Sequence, residues 1–231
     1  MRVAACTKTF GTRTVLRVPE FDLAPGRLYA VVGANGSGKS TFARLAAGVL
    51  PADRNVRVLP EPVEVGYMPQ KSYAFRLSTK ANILLTGGGQ EQAEALMEAL
   101  QLGRLSRQRA TGLSGGETAK MALARVLMRP CGLLILDEPT AAMDMESAVL
   151  AERLIQTYCK ETNCTVLLIT HDLQQARRMA EEALFFFRGQ LWEAGPAKTV
   201  LYAPGRPETR RFLEFYGGPG NGGPFPPDSK E

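Results

Sequence analysis

The chain has 231 residues, 45% of them hydrophobic, which is enough to build one large core as a single α/β domain, with or without an inserted subdomain, and excludes a disordered chain. Its formal net charge of +5 is mild. The basic clusters are short (Arg104, Arg107 and Arg109; Arg177 and Arg178; Arg206, Arg210 and Arg211), so they read as solvated faces compatible with an anionic membrane surface, and no direct nucleic-acid partner is expected.

In chain order, Met1 to Phe10 lacks the apolar block of a signal peptide, and no apolar run anywhere is long enough to span a bilayer. The expectation is therefore a cytoplasmic chain unless another subunit tethers it. Val15 to Val18 and Leu28 to Val32 are strand-like, separated by the turn signal Ala24-Pro25-Gly26. Phe10 lies upstream of both; an aromatic there is able to stack on a base, although spacing alone favours a core phenylalanine.

The second strand runs into Gly33-Ala34-Asn35-Gly36-Ser37-Gly38-Lys39-Ser40-Thr41, ahead of a helix-like stretch from Thr41 to Val49. Three glycines let backbone N–H groups turn inward around an anion, Lys39 adds a positive charge, and Ser40 adds an oxygen. The full pattern arises by chance in a chain this size about one time in a hundred. It reads as a phosphate cradle of the P-loop type for a nucleoside triphosphate with Mg2+, in which the amides and the helix N-terminus hold phosphate, Lys39 reaches the β and γ groups, and Ser40 ligates the metal.

Val56 to Leu59 and Val63 to Met68 are strand candidates broken by prolines, the second ending in Pro69-Gln70. From Lys71 to Met128 the pattern turns helical, with Ala93, Leu96, Met97 and Leu100 on one apolar face. Within it, Leu113-Ser114-Gly115-Gly116-Glu117 opens a helix; read alone, it is either a second anion-binding terminus or simply an N-cap with a flexible turn.

Leu133 to Leu136 is a buried-strand pattern that meets Asp137-Glu138. Two adjacent carboxylates at the C-terminal end of such a strand are costly unless a cation or a reacting water needs them. Asp137 suits Mg2+, and Glu138 suits a general base. A helix candidate from Glu146 to Lys160 leads to the apolar run Thr165 to Ile169, which ends in Thr170-His171-Asp172. The single histidine thus stands at another strand end, where neutral imidazole is able to bond a γ-phosphate or the water.

Residues 173 to 182 are helix-like, Ala183 to Phe187 strand-like, and a last helix is expected over Glu208 to Tyr216. The glycine- and proline-rich end, Gly217 to Glu231, is expected to be disordered. Cys6, Cys131, Cys159 and Cys164 include no CxxC pair and, with one histidine, no zinc set, so they read as buried or incidental thiols of a reducing compartment.

Together these pieces resemble the ATP-binding subunit of an ABC transporter over about Phe10 to Tyr216. They follow that family's order: Walker A loop (Gly33 to Thr41), Q-loop (Gln70), LSGGE signature, Walker B strand with its glutamate, D-loop ending in Asp144, and H-loop (His171). The resemblance implies a P-loop fold with a mostly parallel sheet core, an antiparallel β subdomain, and a helical subdomain inserted at about residues 71–128. It also implies Gln70 beside Glu138 and His171 in catalysis, Gln70 with Ser40 and Asp137 around Mg2+, and Phe10 and Asp144 among the nucleotide contacts. Glu117, Lys120 and Ala142-Met143 differ from the commonest family residues, and Phe10 replaces a usual tyrosine, yet no group the chemistry requires is missing.

In such proteins two cassettes close head to tail on ATP, so Ser114, Gly115 and Gly116 would meet the nucleotide held by a second copy's Lys39. Closure would then pull on transmembrane permease subunits docked near Gln70. The ending from Leu191 through Phe212 resembles importer cassettes of the phosphate, tungstate and amino-acid groups, which favours import of tungstate or a related oxyanion, with a solute-binding protein in the full system. The alternatives are an exporter or lipoprotein-release cassette, and a soluble ABC ATPase acting on nucleic acid or the ribosome.

Overall fold

The computed structural model describes residues 1–217; the expected disordered tail lies, apart from Gly217, outside the described residues. The first half of the chain gives strands β1 (Arg2–Val3), β2 (Cys6–Phe10), β3 (Arg13–Val18), β4 (Phe21–Asp22) and β5 (Leu28–Val32), helix α1 (Lys39–Ala46), strand β6 (Val65–Met68), and helices α2 (Thr79–Ile83), α3 (Gln90–Ala99) and α4 (Gly115–Leu127). The second half gives β7 (Leu133–Asp137), α5 (Met145–Thr162), β8 (Thr165–Ile169), α6 (Leu173–Met179), β9 (Glu182–Phe187), β10 (Gln190–Pro196), α7 (Ala197–Val200) and α8 (Pro207–Gly217). These fall into two compact units, one of residues 1–62 with the chain from 167 onward, the other of residues 63–166.

In the first unit β2 and β3 form an antiparallel hairpin with a bulge between Lys8 and Thr9. β3 is joined in parallel by β10, β10 pairs antiparallel with β9, and β9 runs parallel to β5 in the register Val32↔Phe185. The end of β8 lies beside β5, where Thr170 N–H donates to the Val31 carbonyl at 3.4 Å. Every residue of Leu28-Tyr29-Ala30-Val31-Val32 is buried. That continuous apolar run is what a parallel strand covered on both faces requires.

Alternation along β9 divides its phenylalanines between two faces. Phe185 packs on Phe212 of α8 with ring centroids 5.1 Å apart, within a cluster that includes Val32, Ala176, Val200 and Leu213. Phe186 packs on Phe42 of α1 at 5.3 Å. This clamps the helix that follows the glycine-rich loop.

In the second unit β6 and β7 pair in parallel, Val65↔Leu133 through Met68↔Leu136, so their C-terminal ends carry Gln70 and Asp137-Glu138 side by side. The apolar face expected on Ala93, Met97 and Leu100 is buried, and Leu96 is half-buried at its margin. Asn82 is also fully buried, and its amide serves the loop before α2: Oδ1 accepts from Phe75 N–H at 2.9 Å, and Nδ2 donates to the carbonyls of Phe75 (3.1 Å) and Ser78 (3.0 Å).

Two local expectations are corrected. Val56 to Leu59 is not a strand: it follows a short 3-10 turn at Asp53–Asn55 and makes one ladder-like bond, Ala4 N–H to the Val58 carbonyl, before Pro60 and Pro62 interrupt it. The first helix runs Lys39–Ala46; it begins two residues earlier than expected because the left-handed Gly38 (φ 105) serves as its N-cap, and it ends three residues earlier. Replacing Phe185, which is fully buried, by Ala should lower unfolding free energy by about 3–5 kcal/mol in urea denaturation.

Candidate functional site

The glycine-rich loop of the first unit is shaped by a close backbone approach. A Cβ on Gly33 (φ +145) would lie 2.2 Å from the carbonyl oxygen of Phe186 and 2.8 Å from Ser37 Oγ, so no other residue fits there. The loop then turns through Gly36 (φ +76), where a Cβ would meet nothing, and Gly38 (φ +105).

Lys39 is 7% exposed and curls back over the loop, its Nζ donating to the carbonyls of Gly33 (2.6 Å) and Ala34 (3.0 Å). Those two acceptors offset the cost of a buried ammonium. Ser37 Oγ is buried without a hydrogen-bond partner among the described residues. An orphaned hydroxyl beside glycines that must lack a side chain fits a cradle for an anion with several acceptor oxygens. Asn35 and Gly36 are exposed at the tip, Ala34, Ser40 and Thr41 are half-buried, and Ser40 and Thr41 lie in the first turn of α1.

His171 is exposed just past β8, beside the strand whose end carries the loop. Asp172 after it caps α6 by accepting from the N–H groups of Gln174 (2.8 Å) and Gln175 (3.0 Å). Phe10, at the end of β2, is 53% exposed with Lys8 Nζ 5.3 Å from its ring centroid. The reading of Phe10 as a core residue is therefore corrected. The two-residue turn after it leaves its ring with no apolar layer to enter.

In the second unit Asp137 is 1% exposed at the end of an all-apolar strand. Glu138 follows in the left-handed region at φ 53, an uncommon conformation for a non-glycine residue and one found disproportionately at functional sites. Gln70 Nε2 donates to Glu138 Oε2 at 3.2 Å, so the amide at the end of β6 touches the carboxylate at the end of β7.

Ser114 is the N-cap of α4 in a full capping box: its Oγ accepts from Glu117 N–H at 3.3 Å, and its own N–H donates to Glu117 Oε2 at 2.8 Å. That backbone bond holds the Glu117 carboxyl below its usual range. Gly115 is exposed and Gly116 half-buried; a Cβ on Gly116 would lie 2.9 Å from the Ala142 carbonyl, which explains why the helix start and the loop before α5 approach so closely. Asp144 caps α5 by accepting from Ser147 N–H at 2.8 Å, and that bond likewise depresses its carboxyl.

Arg125 of α4 supports the site from a position that no sequence motif marks. Its Nη2 donates to the Tyr73 carbonyl at 3.0 Å, and its guanidinium lies 5.5 Å from the Phe75 ring centroid. With Asn82 it orders the segment that follows Gln70. The only signal in the sequence was an arginine on an otherwise apolar helical pattern.

The ABC transporter family pattern matches residues 16–141. The zinc import ATP-binding protein ZnuC of Yersinia pestis bv. Antiqua (strain Antiqua) is 34% identical over 180 residues, covering 76% of this chain and 71% of that protein, and the ZnuC of Yersinia pseudotuberculosis serotype I (strain IP32953) matches equally. Two solved structures share the fold: an ATP-binding subunit of an ABC transporter (TM-score 0.76, 20% identity, covering 86% of this chain and 90% of that one), and a dimeric post-hydrolysis ATP-binding cassette bound to ADP and Pi (TM-score 0.75, 20% identity, covering 84% and 97%).

Two glycine variants separate the close approach from simple left-handed strain. Gly36→Ala should cost only about 1–2 kcal/mol. Gly33→Ala, which must displace the Phe186 backbone, should lower Tm by clearly more in thermal unfolding of the nucleotide-free protein.

Proposed function

The chain belongs to the ABC transporter family and is an ATPase of it, and we propose that it energises import, with its glycine-rich loop, strand-end carboxylates and histidine as the hydrolytic machinery. The observation that carries this is Glu138, held at φ 53 beyond the buried Asp137 and touched by Gln70. A carboxylate fixed in a strained conformation and oriented by an amide is arranged to take a proton from an attacking water.

In this reading the amides of residues Gly33 to Thr41, with Phe10 at the base and Asp144 at the dimer partner, hold ATP. Lys39 neutralises the β and γ phosphates, Glu138 polarises the water, and His171 bonds the γ-phosphate. Mg2+ would be held by Ser40, Gln70 and Asp137; a carboxylate 1% exposed at the end of an apolar strand, with a hydroxyl and an amide, is a donor set suited to a hard cation. When bound, the ion neutralises charge on the phosphate oxygens.

Head-to-tail closure of two copies brings Ser114, Gly115 and Gly116 to the partner's nucleotide and so ties hydrolysis to assembly. No helix among the described residues is long and apolar enough to cross a membrane. In this reading force passes to transmembrane permease subunits. This gives the chain a peripheral place on the cytoplasmic face, with a solute-binding protein in the full system. Import is supported by the zinc import relatives. Those relatives are named for zinc, so the tungstate expectation rests on the C-terminal stretch alone; metal-ion uptake against oxyanion uptake is decided by ATP-dependent transport of each into vesicles carrying the co-purified permease.

Replacing Glu138 by Gln should lower turnover by about 100-fold or more, while retaining ATP binding and enriching an ATP-bound dimer on size exclusion. Hydrolysis near the wild-type rate would remove Glu138 from the role of base. Replacing Ser114 by Arg should cut hydrolysis with unchanged nucleotide affinity in the monomer, and unchanged activity would refute the shared site.

A further inference from the structure

Three of the four cysteines meet in the second unit at the N-terminal end of β7, the opposite end of that strand from Glu138. Cys131 Sγ lies 3.7 Å from Cys164 Sγ and 3.4 Å from Tyr158 Oη, while Cys159 Sγ donates to the Cys164 carbonyl at 3.1 Å. All four thiols of the chain are reduced. Tyr158 donates its own proton to the Arg129 carbonyl at 2.8 Å, so a protonated Cys131 donates to Tyr158, while the S–H of Cys164 has two acceptors in reach, Cys131 Sγ and the Thr165 carbonyl at 3.3 Å.

The two sulfurs differ in access. Cys164 is fully buried, whereas Cys131 is half-buried and lines a cavity of about 390 Å³ with Gly66, Tyr67, Val126 and Arg129. The Cys164 S–H turned toward it, with the Gly66 N–H, holds the Cys131 thiol below the ordinary range, against burial and the nearby Glu64 carboxylate. Cys164 is raised by that same partnership, by burial and by Cys159. The half-buried thiol is thus the more acidic of the pair and the fully buried one the less.

We propose that Cys131 and Cys164 form a hydroperoxide-sensitive dithiol, in which Cys131 attacks the oxidant and Cys164 closes on the product. In the first step an S–O bond forms as the peroxide O–O bond breaks; sulfur is oxidised to a sulfenic acid, and the other oxygen takes a proton and leaves as water from hydrogen peroxide or as the alcohol from an organic hydroperoxide. In the second, Cys164 sulfur attacks the sulfenic sulfur, the S–S bond forms, and the hydroxyl leaves with the Cys164 proton as water. The sulfurs have to close from 3.7 Å to about 2.05 Å. The backbone there is already joined, since Thr165 N–H donates to the Gly132 carbonyl at 3.1 Å.

The test treats the full chain with hydrogen peroxide, with and without dimedone, and maps peptides by non-reducing mass spectrometry. Wild type should give a Cys131–Cys164 disulfide reversed by dithiothreitol. Cys164→Ser should instead accumulate a dimedone adduct on Cys131, and Cys131→Ser should give neither. A variant-free measurement is iodoacetamide alkylation of wild type at pH 7, where Cys131 should react about ten-fold or more faster than Cys6, whose burial pushes its thiol up to about 11. Cys131 reacting no faster than Cys6, or a disulfide or adduct formed at Cys159 with Cys131 unmodified, would overturn the assignment.

Discussion

Where β5 ends, the loop and β9 lie backbone against backbone, and the absence of a side chain at Gly33 is what allows it. The consequences spread outward from that contact. Gly189 N–H donates to the Ser37 carbonyl at 3.0 Å, and Arg17 N–H donates to the Gly189 carbonyl at 2.6 Å, so the turn between β9 and β10 fastens the loop to β3 as well. Phe42 and Phe186 then pack the following helix onto the same strand. The loop is held by backbone bonds and buried rings, and it therefore presents its amides without needing a ligand to organise them, which is how preorganised anion sites avoid a reorganisation cost.

The second unit applies a different constraint to a related end. The run Leu133 to Leu136 is apolar because it is buried, and that burial leaves Asp137 as the first residue able to carry charge. The chain turns at once: Glu138 takes a left-handed conformation and Pro139 follows. Such strain costs about 1–3 kcal/mol, and a strand this thoroughly buried is able to offset it. Gln70 reaches the carboxylate because β6 pairs with β7 in parallel, which brings both strand ends to one edge.

Much of this was legible in the sequence, for reasons that differ by residue. Leu28 to Val32 and Thr165 to Ile169 have the bounds their apolar runs implied, since continuous burial leaves one reading. Ser114 followed three residues later by Glu117 is a capping-box pattern, and both of its bonds are present. Val56 to Leu59 misled because strand pairing depends on a neighbour's free edge, which no local run reveals. Phe10 misled because spacing cannot say which layer a hairpin's end will face. Arg125 and Asn82 were invisible for a similar reason: their partners are carbonyls of one irregular loop, 52 residues from Arg125 and four to seven from Asn82, and composition carries no trace of them.

The capping box also bears on how one group serves two purposes. A serine hydroxyl has one hydrogen to give and two lone pairs to receive. In α4 the Ser114 oxygen accepts from Glu117 N–H, a use that leaves its hydrogen able to turn toward an incoming anion. The first N–H groups of the helix, at Gly115 and Gly116, have no partner within it, and the aligned peptide dipoles favour negative charge there. Glu117 opposes that field with its own carboxylate, yet the carboxylate is spent on Ser114 N–H. Its fixed position stiffens the terminus before any ligand arrives. The structural role of Ser114 and its proposed contact with a second copy's nucleotide thus use different atoms of one hydroxyl, and the cap lowers the entropy that the contact would otherwise have to overcome.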